Sequence, residues 1–325
     1  MHSGSPIFLV GPTASGKSAV ALALAEQVSG EIISVDSMQV YRGLDLGTAK
    51  PSTAERARVP HHLIDVVELT ASFDAAKFVE LARRTEADIR ARGRVPIFCG
   101  GTGLYFKAYL EGLGAAPPSN ATVRQQLEAM PPAELLRELE QRDPVTYERI
   151  DRQNPRRVVR ALEVIRLTGQ PFSEQRAAWR REELTAALDP ELRNPQSSIL
   201  NPQSSIAPGL AKHGSARIVG LLRSNEDLHA RIHARVDDMF ARGLVDETRS
   251  LLARGLEQNP TALQAIGYRQ VVEHLRGARP LAETIELVKI KTRQFAKRQM
   301  TWFRRQLAVE WIPVGTQARD SSGQR

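Results

Sequence analysis

The sequence predicts an α/β fold, a parallel sheet flanked by helices and interrupted by an all-helical insertion. Two observations lead there. Short apolar runs of strand character alternate with helical stretches through the first part of the chain, and three of them stop at Gly11, at Asp36-Ser37 and at Gly100-Gly101. Strand character then vanishes from Gly112 to about Arg193 and returns at Ile218–Leu222. The expected organisation is a first part of the core over 1–117, a helical insertion over 118–206, and a second, mostly helical part of the core over 207–325.

Ile7-Phe8-Leu9-Val10 reads as a buried strand, and Gly11-Pro12-Thr13-Ala14-Ser15-Gly16-Lys17-Ser18 follows it as G-x-x-x-x-G-K-[ST]. The next residues, Ala19 to Ala25, are good helix formers without a breaker. Strand, glycine turn and helix are the context a phosphate-binding loop requires, so the core is expected to be P-loop NTPase-like. Its backbone N–H groups and the helix N-terminus cradle a di- or triphosphate, Lys17 adds a full charge, and the Ser18 hydroxyl suits a phosphate-bridging Mg²⁺. The motif predicts a phosphate compound without saying which.

Glu31-Ile32-Ile33-Ser34-Val35 is the second expected strand, ending at Asp36-Ser37-Met38-Gln39-Val40-Tyr41. In an open parallel sheet that end faces the same edge as the P-loop, which places Asp36 for chemistry; Asp-Ser equally suits a cap or turn. From Gly43 to Pro60 no period is evident. His61 to Val66 suggests another short strand, and His61 and His62, adjacent and so on opposite faces, make a poor metal pair. A helix is expected from Asp74 to Arg92, ended by Gly93. Val95-Pro96-Ile97-Phe98-Cys99 then runs as a strand into Gly100-Gly101-Thr102-Gly103, bringing Thr102 to the edge that holds Lys17 and Asp36.

Ala115 to Asn120 reads as a linker, and the helices expected beyond it include one over Asn154 to Arg166. Arg156, Arg157 and Arg160 crowd its first turns, where cations oppose the helix dipole, so they suit an anionic partner or a solvated basic face. Asn-Pro-Gln-Ser-Ser-Ile occurs twice, at 194–199 and 201–206, and reads as a flexible surface repeat. A run of helices is expected from about Asn225 to Trp302, in which Arg231 and Arg235, four apart, share a face that can point towards the phosphates.

Bulk properties narrow the class. The 325 residues carry a net charge of +8 and a pI near 9.9, which suits phosphate and nucleic-acid partners. A single cysteine, Cys99, excludes disulfides within the chain and suits a reducing cytoplasm. No apolar run approaches the roughly 18 residues of a membrane span, and the first residues lack a signal-peptide plan, so a soluble cytoplasmic monomer without membrane contact is expected.

Taken in order, these blocks resemble one family, the tRNA dimethylallyltransferases or tRNA isopentenyltransferases. The resemblance rests on the P-loop octet, Asp36 to Tyr41, Gly47-Thr48-Ala49-Lys50-Pro51, Gly100 to Tyr105, Asn154 to Glu163, Ala265 to Gln270 and Lys297 to Arg304. It implies transfer of a dimethylallyl group from dimethylallyl diphosphate to N6 of the adenosine 3′-adjacent to a tRNA anticodon. By the same resemblance Lys17, Asp36 and Thr102 are catalytic, with Asp36 taking the N6 proton and Thr102 bonding near the scissile oxygen. The octet Gly11, Pro12, Thr13, Ala14, Ser15, Gly16, Lys17 and Ser18 holds the diphosphate with Arg231 and Arg235, and Ser18 holds Mg²⁺. The family's tRNA-contacting segments fall on Asp36, Ser37, Met38, Gln39 and Thr102; on Arg124, Arg156, Arg157, Val158, Val159 and Arg160; on Gln264, Ala265, Ile266, Gly267, Tyr268 and Arg269; and on Lys297, Arg298, Gln299, Met300, Thr301, Trp302, Phe303 and Arg304. They imply an anticodon stem-loop as partner, its adenine extruded from the stack with Gln39 placed to read its edge. The repeat and Ser72-Phe73-Asp74 depart from the family's pattern.

A P-loop small-molecule kinase using ATP would share the loop and the arginine pair but leaves the basic blocks of the insertion and of the Trp302 region unexplained. A non-catalytic RNA-binding NTPase leaves Asp36 and Thr102 unexplained.

Overall fold

The structure is a computed structural model, and it describes residues 5–175 and 217–315. Their contacts fall into two compact units, one of Met1–Phe106 with Arg181–Arg325 and one of Lys107–Arg180. The duplicated hexapeptide lies outside the described residues.

The first unit is built on a sheet of six strands, every neighbouring pair parallel. Its strands are β1 (Ile7–Val10), β2 (Gly30–Val35), β3 (His61–His62), β4 (Val95–Gly100), β5 (Ile218–Leu222) and β6 (Glu310–Pro313), in the order β3-β2-β4-β1-β5-β6. The four inner strands are apolar and largely buried, the usual state of a parallel sheet, whereas the edge strands β3 and β6 are partly exposed. All of β2 is buried, and Phe8 of β1 stacks on Phe98 of β4 with centroids 4.8 Å apart. Helix α1 (Lys17–Val28) lays Ala21, Leu22 and Ala25 onto Leu9, Ile32 and Ile97.

Three local expectations change. In the stretch from Gly43 to Pro60, where no period is evident, α2 (Thr53–Arg58) forms, started by a reciprocal capping box between Ser52 and Glu55. The strand expected over His61 to Val66 stops after His62. Leu63 and Asp65 take positive φ of 59° and 56°, and Lys50 and Arg56 hold the Asp65 carboxylate, so the chain turns away from the sheet. The last change is β6, a strand beyond the final helix that pairs with β5. The histidines are hydrogen bonded, His62 Nε2 to Glu31 Oε2 at 2.7 Å and His61 Nδ1 to the Val59 carbonyl at 2.8 Å.

Helices α3 (Ala75–Ala91), capped by Asp74, and α4 (Gly103–Glu111) follow the expected pattern. The second unit is helical: α5 (Ala121–Glu128), α6 (Pro132–Arg142), α7 (Pro144–Arg149), α8 (Pro155–Thr168) and α9 (Phe172–Gln175). Leu127, Leu135, Leu139, Val158, Leu162 and Ile165 form its core. Returning to the first unit, the chain continues through β5 into α10 (Asn225–Ala241), α11 (Leu244–Ala253), α12 (Tyr268–Leu275) and α13 (Leu281–Gln306). No helix among the described residues is long and apolar enough to cross a membrane.

Candidate active site

Register decides what meets at the sheet edge. Val10 of β1 and Val35 of β2 both pair with Gly100 of β4, so Gly11, Asp36 and Gly101 leave the sheet side by side. With adjacent strands about 4.8 Å apart, the Asp36 and P-loop strands lie roughly 10 Å apart, and the Thr102 turn emerges between them. Gly100 has to be glycine, because a Cβ there would sit 2.1 Å from the Val35 carbonyl oxygen.

The P-loop closes as its sequence demands. Gly16 caps α1 at φ 93°, a conformation open to glycine without strain, and the Ser15 N–H donates to the Pro12 carbonyl at 3.3 Å. The Ser15 hydroxyl is buried and has no hydrogen-bond partner among the described residues. Ala14, Gly16, Lys17 and Ser18 line a cavity of about 340 Å³, with Arg231, Ala234 and Arg235 of α10 opposite them. The spacing of the two arginines therefore delivers both to the loop.

None of these cations meets a carboxylate among the described residues. Lys17 Nζ donates to the Pro12 carbonyl at 3.2 Å, Arg231 Nε donates to the Ala14 carbonyl at 3.0 Å, and Arg235 has no described hydrogen-bond or ion-pair partner. Burial pulls the Lys17 ammonium below its ordinary value and Arg235 adds to that, while Asp36 opposes it. Burial likewise lowers the Arg235 guanidinium, again against Asp36. Cations under mutual repulsion gain most from an incoming anion. Cys99, buried nearby, is a thiol pushed up to about 11 by burial and so stays protonated.

The two carboxylate oxygens of Asp36 differ. Its Oδ1 accepts the backbone N–H groups of Met38 at 2.8 Å and Gln39 at 3.2 Å, the turn-forming role its sequence also allowed; Oδ2 has no described partner. Thr102 Oγ1 accepts the Ser37 N–H at 3.1 Å, which fixes the hydroxyl beside Asp36 and leaves its proton to donate elsewhere.

Arg223 has no place in the sequence reading. It follows β5, donates from Nε to the Ser15 carbonyl at 2.7 Å, and pairs with Asp227 at 2.6 Å. A cation directly after the strand that neighbours β1 was the available signal. Gln39 also has a structural role: Oε1 accepts from the Ser34 hydroxyl at 2.8 Å, and Nε2 donates to the Thr48 and Ala49 carbonyls at 3.1 and 3.2 Å. Both Nε2 protons are thus used in holding the loop that carries Gly47 to Pro51, and Oε1 keeps one lone pair.

The expected RNA-contacting segments divide by burial. Arg156, Arg157, Gln264, Arg269, Lys297, Arg298, Thr301 and Arg304 are exposed. Val158, Val159, Ala265, Tyr268, Gln299 and Phe303 are buried. Tyr268 donates to Glu247 at 2.5 Å and accepts the Gly47 N–H at 3.1 Å. Arg124 and Arg160 both bond Glu163, which is fully buried. Burial alone would raise the Glu163 carboxyl, but Arg160, the Ser119 hydroxyl and the Asn120 N–H hold it below its ordinary value.

A parallel sheet that brings a P-loop, a carboxylate and a hydroxyl to three adjacent strand ends defines a P-loop protein with polar groups of three strands gathered at one edge. Comparison with known proteins narrows the class. The model of the IPP transferase family matches residues 39–306. The tRNA dimethylallyltransferase of Geobacter metallireducens is 43% identical over 310 residues, covering 94% of this chain and 91% of that protein. That of Stenotrophomonas maltophilia is 43% identical over 316 residues, covering 94% and 91%. Among solved structures, the tRNA isopentenylpyrophosphate transferase of Bacillus halodurans matches with a TM-score of 0.63 at 35% identity, covering 96% of this chain and 90% of that one. A eukaryotic dimethylallyltransferase acting on tRNA matches with a TM-score of 0.68 at 26% identity, covering 94% and 73%. The chain belongs to the IPP transferase family.

Proposed function

We propose that this protein transfers the dimethylallyl group of dimethylallyl diphosphate to N6 of the adenosine on the 3′ side of a tRNA anticodon, releasing diphosphate. The observation that carries the reading is the strand order at the site edge, which sets Thr102 between the phosphate loop and Asp36. Ionising an allylic C–O bond needs stabilisation of the departing diphosphate on one side and a proton acceptor for the attacking amine on the other.

The loop N–H groups, Lys17, Arg231 and Arg235 bind the diphosphate, and the Thr102 hydroxyl donates to the oxygen that leaves carbon. As that C–O bond breaks, its electron pair passes to diphosphate. The N6 lone pair forms the new C–N bond, and Asp36 Oδ2 accepts the N6 proton and later returns it to water. The donor set suits a Mg²⁺ that arrives with the diphosphate, since the loop offers it one exposed hydroxyl, Ser18. Such an ion supplies charge neutralisation to the leaving group.

The exposed cations of α13 suit the phosphates of an anticodon stem-loop, as do Arg156 and Arg157 on α8, each within its own unit. The single cysteine is a buried free thiol, which suits a reducing cytoplasm. The test is transfer of label from dimethylallyl diphosphate to an anticodon stem-loop, run beside phosphoryl transfer from ATP. Labelled N6-modified adenosine is expected. ATP-dependent phosphorylation without labelled RNA would return the reading to a kinase.

A further inference from the structure

The two glycine turns of the site, one after β1 and one after β4, are not left to hold their own spacing. A single side chain from α13 joins them. Gln299 Oε1 accepts the Thr13 N–H of the P-loop at 2.9 Å, and its Nε2 donates to the Gly101 carbonyl, one residue before Thr102, also at 2.9 Å. The side chain is only 8% exposed, and no other described hydrogen bond uses it. The chemistry of the two backbone groups fixes the amide's orientation, because a donor needs Oε1 and a carbonyl needs Nε2.

The surrounding residues are shaped for this bridge. A Cβ on Gly101 would fall 2.3 Å from Gln299 Nε2, and a Cβ on Gly103 would fall 2.0 Å from the ring of Trp302, three residues further along α13. Two glycines in the turn thus admit two side chains from successive turns of one helix. The segment Lys297 to Arg304 matches the family as an RNA-contacting stretch, yet Gln299 points the other way, into the floor of the site.

We propose that Gln299 is a positioning residue for catalysis: its amide sets the distance between the phosphate loop and Thr102, and thereby between the diphosphate and the donor to its leaving oxygen. The inference rests on the transferase reading. A displacement of about 1 Å in such a pair can cost on the order of 100-fold in rate while substrates still bind. A carboxylate cannot replace the amide, since it would turn an acceptor towards the Gly101 carbonyl. A protonated carboxyl can, by donating its O–H there.

Gln299→Glu is therefore the decisive variant, assayed with dimethylallyl diphosphate and an anticodon stem-loop across pH. Near neutral pH, kcat is expected to fall by about 10- to 100-fold with RNA affinity within about twofold of wild type. Protonation gives the introduced carboxyl a donor for the Gly101 carbonyl, so the ratio of variant to wild-type kcat should climb as pH falls; burial and that carbonyl favour the protonated form, while the Thr13 N–H and the charge of Lys17 on the same loop favour the ionised one. Gly101→Ala attacks the same bridge from its other end and should show the kcat loss without the pH dependence. It also serves as the test if Gln299→Glu does not fold. Weakened RNA binding with unchanged kcat would overturn the proposal and make Gln299 an RNA contact; lowered thermal stability with normal kcat would make it purely structural. Absence of transfer by the wild type would instead fail the transferase reading itself.

Discussion

Two clusters of arginine and lysine stand out in this chain, and the structure treats them in opposite ways. Around the P-loop, Lys17 and Arg231 donate to backbone carbonyls, and Arg235 has no described partner. In the helical unit, Arg124 and Arg160 close on Glu163, with Ser119 and Asn120 completing its shell. Cations satisfied only by carbonyls keep their net charge for a ligand. Two cations closed on one buried carboxylate have given one of their two charges to folding. Crowded basic residues in a sequence therefore do not announce an anion site until their acidic neighbours are placed.

The largest effect expected on the cradle side comes from Asp36. Asp36→Asn keeps the acceptor for the Met38 and Gln39 N–H groups and loses the base, so kcat should fall by roughly 10²–10⁴-fold while both substrates still bind. Single-turnover rates beside separate affinities for diphosphate and RNA measure this. A loss confined to diphosphate affinity would mean that Asp36 serves the cations rather than the amine.

Arg235→Gln tests whether the cradle cations are truly unspent. Losing one charge from a preorganised anion site should lower kcat/KM for dimethylallyl diphosphate by about 10²–10³-fold, with RNA affinity and thermal stability unchanged. Because Arg235 lies under burial and beside Lys17, its removal relieves repulsion in the free protein. A stability loss of the size expected for Arg160→Ala below would erase the contrast.

How much of this was legible beforehand depends on the range of the interaction. The P-loop, the strand ends and the Arg231–Arg235 face follow from local pattern, and register then converts three separate turns into one site. The α2 helix was equally local: Ser52 followed three residues later by Glu55 is a capping signal in a stretch with no apolar period. What sequence could not supply was long-range pairing. Nothing local tied the Gln39 amide to Ser34, Thr48 and Ala49, and Gln299 bridges groups far away in the chain. Arg160 and Glu163, by contrast, lie three apart on one helix, where the pairing was open to view.

On the folding side, Arg160→Ala removes a charged hydrogen bond from a buried carboxylate and should destabilise the helical unit by about 1–3 kcal/mol. Hydrogen exchange along α8, or a thermal melt, measures it. Acid sharpens the same point. The Glu163 carboxyl is depressed in the folded state relative to an unfolded value of about 4.3, so its contribution is complete above that value and is lost as pH falls through the folded one. Glu163→Gln should remove this part of the acid sensitivity while costing stability at neutral pH.

Arg157 gives the smallest effect and the cleanest split, because it sits three residues before Arg160 on the same helix and shares none of its bonds. It is exposed and has no ion pair among the described residues. Arg157→Ala should leave the melt of the helical unit within about 0.5 kcal/mol of wild type, as a surface change away from caps and core does. If it contacts RNA phosphate, the slope of log affinity against log salt should fall by about 1, with diphosphate affinity unaffected. The informative measurement is therefore the pair: Arg160→Ala moving stability and Arg157→Ala moving the salt slope. Should Arg157→Ala leave that slope unchanged, the exposed end of α8 is a solvated basic face, and the RNA-binding charge of this chain has to lie elsewhere.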